Sequence, residues 1–308
     1  MRAAVLHGPE DLRIEDVAEP EDGVVVQVLA ATTCGTDVKM WRHGHRVLPP
    51  YPCLFGHETA GRRLDTGERV LVSDSVACGS CPPCRTGRPQ ICRAPRWVLG
   101  GFAQRIAAPQ AALHAIPEGL PFEAAAMAEP LAAVLHAISR GSDAGDVGVL
   151  GGGSIGLMLA GLLVREGRSV LVADRHGQRR TQAAALGARA AARLSRHELV
   201  FEAVGRPEAW RAAASAATPG GVVVLVGGCP AGTEVSFSAG PVHYDELELR
   251  GAFHHSPGEV DRGLAVLAEG GFPWRVLAGE RIGLGELQRA LGAAGCGPAR
   301  KWVVDPSS

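Results

Sequence analysis

The sequence predicts an α/β protein of two domains, a β-rich unit followed by a doubly wound parallel sheet, and three observations carry that expectation. At 308 residues the chain is about twice the length of a typical domain. Residues 1 to about 135 read as short strands broken by Gly and Pro, whereas strands and helices alternate from about 140 onward. A closing apolar segment, KWVVDP at 301–306, reads as one more strand able to return to the first domain.

In the first part, VVVQVLA at 24–30 and RVLVSDSV at 69–76 are strand-like, with long loops between such segments. In the second part the strands DVGVLG, SVLVAD, ELVFEAVG, GGVVVLVGG and LELRGAF are interleaved with SIGLMLAGLLVREG, GQRRTQAAALGA, PEAWRAAASAA and PGEVDRGLAVLAEGG. That alternation predicts helices on both faces of a parallel sheet. Residues 147–164 carry no charge and imitate a membrane span, but the glycines that interrupt them fit a buried strand and a buried helix better.

Composition narrows the partner. A hydrophobic content of 46% with 20% charged residues fits a folded globular chain. The net charge of -1 gives no concentrated positive field for nucleic acid or an anionic membrane, so a small molecule is the expected partner. The start shows no basic segment followed by a sustained apolar core, which predicts a cytoplasmic protein, and the eight cysteines are then expected as metal ligands and free thiols. Lysine is scarce: only Lys39 and Lys301 occur among the 31 basic residues.

After the apolar DVGVL comes Gly151-Gly152-Gly153-Ser154-Ile155-Gly156, and Asp174 closes the next strand. Gly151 permits the tight turn, Gly153 lets the backbone approach a pyrophosphate, Ser154 and Ile155 open the helix, and Gly156 lets helix and strand pack closely. With the strand before, the helix after and the acid at this distance, the pattern predicts a dinucleotide site. Asp174 is suited to accept from the ribose hydroxyls and to repel a 2'-phosphate, which favours NAD over NADP. The adjacent Arg175 and Arg179 pull the other way.

Cys78, Cys81, Cys84 and Cys92 have the spacing C-x2-C-x2-C-x7-C. Four thiolates close a tetrahedral shell and leave no position for a substrate, the signature of structural zinc. An iron–sulfur cluster is the rival, although its motifs continue with a shorter final spacing and a Cys-Pro. Candidates for an open, reactive site lie elsewhere: Cys34 in ATTCGTDVKMW, His57 and Glu58 in YPCLFGHETAG, and Glu129 in AMAEPLAAVLHA. Taken singly, these are also ordinary core or helix-start residues.

The ordered set CGTD, GHE, the four-cysteine lobe, GGFAQRIAAP, AEPLAAVLHA and GGGSIG resembles the zinc-dependent medium-chain dehydrogenases, the alcohol, sorbitol and threonine dehydrogenase superfamily. The resemblance spans essentially the whole chain. It implies a GroES-like catalytic domain at 1–137 with a zinc lobe at about 76–95, a Rossmann NAD-binding domain at 138–268, and a return to the catalytic domain at 269–308. It also implies one catalytic and one structural zinc. Cys34 and His57 match metal ligands, Asp37 a residue that fixes the His57 ring, and Glu58 a residue that ligates zinc in some members and sits behind it in others. Glu129 matches the third ligand, a cysteine in classical alcohol dehydrogenases and a glutamate in the polyol and threonine types. The implied reaction is hydride transfer between an alcohol, made acidic by zinc, and the nicotinamide, with Thr36 accepting the hydroxyl proton. A threonine that merely ends a strand is the plainer alternative for Thr36.

Three features depart from the family pattern. The segment after GHE is short, the region 190–199 lacks most of a crossover helix, and Lys39 stands where many relatives carry a relay histidine. Lys39 is open to three readings: proton relay, substrate-holding charge or solvated surface charge. Cys53, Cys229 and Cys296 read as ordinary cysteines. His254 and His255 face either the pocket or the surface. Glu129 leans towards a polyol, sugar alcohol, cyclitol or amino alcohol and its ketone as the substrate pair, in either direction. The resemblance also implies a homo-oligomer, dimer or tetramer. A zinc-stabilised nucleotide-binding sensor or scaffold without catalysis is the alternative function.

Overall fold

The computed structural model describes residues 1–295 and 297–308; Cys296, expected to be an ordinary cysteine, lies outside the described residues. The parallel sheet forms from Asp146–Leu150, Ser169–Ala173, Arg189–Ala191, His197–Glu202, Ala217–Leu225 and Glu248–Gly251. Counted in chain order, these strands lie in the sheet as 3-2-1-4-5-6, and every pairing is parallel. The order reverses between the first and fourth strands, and such a reversal opens a crevice beyond the carboxyl ends of the strands. The charge-free run resolves as the strand Asp146–Leu150 and the helix Ser154–Arg165, whose Leu157, Met158, Leu159 and Leu163 are fully buried. Among the described residues, no helix is long and apolar enough to cross a membrane.

The shortened crossover is visible between the third and fourth strands, where residues 192–196 form neither helix nor strand. Leu194 and His197 instead pack over Gly148, where an added Cβ would approach the His197 ring to 2.7 Å. The missing helix is thus replaced by two side chains laid against a glycine in the central strand.

The first domain is antiparallel except where Ala278–Ile282 runs parallel to Lys301–Val304. Its main sheet runs Leu113–Ala115, Arg69–Val72, Glu58–Arg63, Val24–Thr32, Lys301–Val304 and Ala278–Ile282, with Arg105–Ala108 also pairing with Val24–Thr32. The chain end does return: Val303 pairs with Thr32 and Val304 with Ala31. Beneath this sheet the core gathers Val26, Val28, Val70, Val72, Phe55 and Phe102, the last two edge to face at 4.9 Å. The helix Ala128–Ser139 joins the two parts. It is apolar nearly all round because it packs in one cluster with the helices Ser154–Arg165 and Pro257–Ala268 and with Leu71 of the first domain.

Candidate metal and dinucleotide sites

Sheet register brings the first cluster together. Thr32 pairs with Glu58, so Cys34, just past the end of one strand, meets His57, just before the start of the other. Cys34 is the N-cap of the helix Gly35–His43, and its Sγ accepts from the Thr36 N–H at 3.2 Å. Asp37 closes the capping box by accepting from the Cys34 N–H at 2.8 Å through Oδ2. Its Oδ1 lies 2.9 Å from His57 Nδ1, an orientation that turns Nε2 towards Cys34 Sγ, 3.3 Å away. In the CGTD motif, therefore, a helix start fixes a thiol and, three residues on, the carboxylate that orients the imidazole.

These donors fit zinc. Bond lengths of about 2.3 Å to sulfur and 2.0–2.1 Å to nitrogen put tetrahedral S and N ligands about 3.6 Å apart, close to the 3.3 Å between Cys34 Sγ and His57 Nε2. Burial opposes charge on His57, yet Asp37 and Cys34 hold its pKa well above the ordinary imidazole range, so the pair calls for positive charge at this point. Glu129, in the first turn of Ala128–Ser139, offers a carboxylate oxygen within 4.8 Å of the His57 and Glu58 donors.

Glu58, in the same donor group as His57 and Glu129, is also held by a buried cation. Both its oxygens lie 2.6 Å from Lys301 Nζ, Oε2 also accepts from Thr32 Oγ1, and Lys301 donates to the Thr33 carbonyl at 3.1 Å. Both side chains are buried. Burial raises Glu58 against the pull of Lys301, and Glu58 raises Lys301 against its own burial; with both oxygens in contact, the pair is an ion pair. Lys301 was not expected at the site from sequence. Its signal was a lysine opening the apolar strand KWVV in a chain with one other lysine.

His254 and His255, which follow the last parallel strand, point inward. His255 Nε2 is 3.2 Å from Glu129 Oε1 and 3.5 Å from Asp74 Oδ1, and His254 Nε2 is 3.1 Å from Asp74 Oδ2. Burial disfavours a charged His255, but hydrogen bonds to Asp74 and Glu129 outweigh it and push its pKa up to about 10. Burial would raise Asp74, yet the two histidines hold it well below the carboxylate range.

The cysteine lobe is a separate cluster. Cys81 Sγ lies 3.4 Å from Cys84 Sγ and 3.8 Å from Cys92 Sγ, near the roughly 3.8 Å edge of a zinc tetrathiolate. None of the four is in a disulfide. The Cys78 and Arg93 N–H groups donate to Cys92 and Cys81, and the Ser80 N–H helps bring the Cys78 pKa down to about 6, while burial and the neighbouring sulfurs push Cys84 up to about 12, so four thiolates would need a cation among them. Cys53 is buried and free, and neither Cys53 nor Cys229 joins a metal-like cluster among the described residues.

At the glycine turn, Gly151 has φ 103°, and a Cβ on Gly156 would stand 1.8 Å from the Gly151 carbonyl oxygen, so both positions require glycine. A Cβ on Gly153 would meet nothing within 4 Å, open space at the N-cap of Ser154–Arg165 that suits an approaching phosphate. Ile155 follows in the first turn of this helix. Asp174 accepts from Gly152 N and His176 N, each at 2.8 Å, which fixes its carboxylate at the end of the second parallel strand. Arg179 is turned to the Gly295 and Gly297 carbonyls, and Arg175 is exposed against His176.

Lys39 does not point back along its helix towards Thr36. Its Nζ donates to the Gly228 carbonyl at 3.0 Å, in the loop after the fifth parallel strand. The cysteine–histidine cluster is therefore flanked by loops from the carboxyl edge of the parallel sheet, through Gly228 on one contact and His255 on the other.

Two family patterns match the chain: "Alcohol dehydrogenase GroES-like domain" over residues 20–118 and "Zinc-binding dehydrogenase" over residues 154–269. An L-threonine 3-dehydrogenase of Chelativorans sp. is 31% identical, covering 99% of this chain and 98% of that protein. A sorbitol dehydrogenase of Bacillus subtilis is 26% identical over 94% of this chain and 92% of its own length. Among solved structures, a putative zinc-binding dehydrogenase from Sinorhizobium meliloti, bound to NADP, superposes with a TM-score of 0.91 at 27% identity, over 99% of both chains.

Proposed function

This chain belongs to the zinc-dependent medium-chain dehydrogenase superfamily, and from that premise we propose that it moves hydride between NAD(H) and a secondary alcohol or ketone of the polyol, sugar alcohol, cyclitol or amino alcohol class. The observation that carries the proposal is that His57 lies 3.3 Å from Cys34 and within 4.8 Å of Glu129, beside loops from the carboxyl edge of the parallel sheet. We assign Cys34, His57 and Glu129 as ligands of a catalytic zinc and the four lobe cysteines as ligands of a structural one. Zinc at the first set supplies Lewis acidity towards an alcohol oxygen, and NAD supplies the hydride acceptor.

The rest is done by the chain. Asp37 holds the His57 tautomer, Thr36 accepts the hydroxyl proton as it passes its own on towards solvent, and Gly151, Gly153 and Gly156 admit the pyrophosphate. Glu58, paired with Lys301, keeps a buried negative charge behind the ligands without ligating. Lys39 joins the first domain to the loop at Gly228, a contact that supports a positioning role over a relay. The names of the relatives, threonine and sorbitol dehydrogenases, support the amino alcohol and polyol classes. A cytoplasmic homo-oligomer of two or four copies, divided at residues 137 and 268, completes the reading.

A panel of polyols and amino alcohols assayed for NADH absorbance tests it. Turnover with at least one of them, lost on chelation and restored by zinc, is the expected result. NAD binding without turnover of any secondary alcohol or ketone favours the sensor or scaffold instead.

Two variants test the assignments. Cys81→Ser should lose one zinc per chain and lower thermal stability, because binding free energy at a closed thiolate shell is folding free energy. If it leaves stability and metal content unchanged, the lobe is not a metal site. Asp174→Ser should raise the KM for NAD by about tenfold or more, the effect of losing a charged hydrogen bond, and should improve use of NADP. A wild-type preference for NADP removes this role from Asp174 and points to Arg175 and Arg179.

A further inference from the structure

Asp74 and His255 have no part in the reaction as described, yet both are buried beside Glu129. The three residues come from distant segments: Asp74 from the base of the cysteine lobe, Glu129 from the helix joining the two parts, and His255 from the loop after the last parallel strand. His255 Nε2 stands between the two carboxylates, 3.2 Å from Glu129 Oε1 and 3.5 Å from Asp74 Oδ1. Its Nδ1 has no hydrogen-bond partner among the described residues, so the ring is anchored through Nε2 alone. One imidazole edge thus links both acids.

The backbone is shaped to make this link. In extended chain, successive side chains point to opposite faces, but His254 has φ 60°, a left-handed conformation that a residue with a side chain adopts at a cost. The turn brings both rings to one side, with centroids 4.2 Å apart. His254 then holds Asp74 through Nε2 at 3.0 and 3.1 Å from its two oxygens, with Ser75 Oγ at 3.2 Å. His254 secures Asp74, Asp74 faces His255, and His255 holds Glu129.

We propose that His255, backed by Asp74, is a positioning residue that fixes the Glu129 carboxylate for the metal, so that a loop of the nucleotide domain sets the metal affinity of the catalytic domain. The proposal rests on the reading of Glu129 as a zinc ligand. It explains why a histidine pair with one left-handed member follows the last strand, and it makes the catalytic metal sensitive to how the two domains sit together.

The test is zinc affinity by chelator competition, with the visible spectrum of cobalt-substituted protein, for His255→Leu, His255→Gln, Asp74→Asn and Glu129→Ala. Loss of a residue that orients a ligand typically costs about 10–100-fold in metal affinity. His255→Leu should fall in that range and alter the cobalt spectrum. His255→Gln, whose amide nitrogen reaches the place of Nε2, should recover most of both, a rescue that a packing role would not give. Asp74→Asn should shift affinity in the same direction, and combined with His255→Leu it should add little. The lobe metal should stay bound throughout.

If Glu129→Ala leaves affinity unchanged, the ligand reading has failed. If Glu129→Ala weakens affinity while His255→Leu and Asp74→Asn do not, the ligand reading stands and the positioning role is overturned. A third metal per chain that Asp74→Asn removes would overturn it too, by making Asp74, His254 and His255 a metal site of their own. Should His255→Leu fail to fold, His255→Gln and Asp74→Asn decide: wild-type affinity and spectrum in Asp74→Asn end the proposal.

Discussion

Cys34→Ser is expected to lower kcat/KM by about a thousandfold or more while the protein stays folded, keeps the lobe zinc and still binds NAD. Serine is chosen because it is among the best N-cap residues, so it can accept from the Thr36 N–H as the thiol does and preserve the helix Gly35–His43. What it removes is the soft thiolate of the cluster. Lewis-acid assistance contributes several kcal/mol to such reactions, and each 1.4 kcal/mol is about tenfold in rate. Steady-state kinetics, metal analysis and a thermal melt on the same preparation separate the outcomes. A variant that is merely unstable, with turnover per folded molecule intact, would remove Cys34 from the chemistry.

Lys301→Met should be the most destabilising single change near the site. Glu58 is completely buried, and Lys301 Nζ is its only cationic contact among the described residues, 2.6 Å from both oxygens. Breaking a buried ion pair from one side costs about 3–5 kcal/mol, because an uncompensated charge is left behind. Glu58→Gln combined with Lys301→Met should recover much of that loss. The deficit of the single variant also has a sign in pH. Burial already raises Glu58 above its ordinary value of 4.5, and without Lys301 the folded state takes up a proton more readily still. A raised folded-state pKa means that the stabilising protonation is lost as pH rises; the wild type shares that loss up to its own folded value of about 7, so the deficit should be level in acid and grow above about pH 7. A deficit independent of pH, or a double variant no more stable than the single one, would assign the effect to packing.

Much of the architecture was legible because its signals are local. The glycine turn, the acid that closes the following strand and the four-cysteine run each lie within one short segment, and the alternation of strands and helices is read from neighbouring residues. The missing crossover helix at 190–199 was legible for the same reason, as a shortfall of residues between two strands. The first cluster was different. Cys34, His57 and Glu129 became a set only through the order of motifs along the whole chain, because Cys34 meets His57 through the Thr32–Glu58 register and Glu129 arrives on a helix outside that strand pair.

The remainder hinges on contacts between distant segments or on backbone conformation that composition does not encode. Lys301 reaches Glu58 across 243 residues, through the pairing of the final strand with Val24–Thr32. Asp74 gave no signal in a strand-like segment. The orientation of His254 and His255, open from sequence, is decided by one left-handed residue. Lys39 stood where relatives carry a histidine, but its side chain is long enough to leave Thr36 and reach Gly228 in the other domain.

Whether two clusters hold two metals with different roles is tested most directly by anomalous diffraction at the zinc edge, from crystals grown without chelator. Two peaks per chain are expected, one enclosed by Cys78, Cys81, Cys84 and Cys92 and one among Cys34, His57 and Glu129. A single peak in the cysteine lobe, with Cys34 and His57 metal-free in an enzyme that still turns over alcohol, would contradict the assignment of a catalytic zinc.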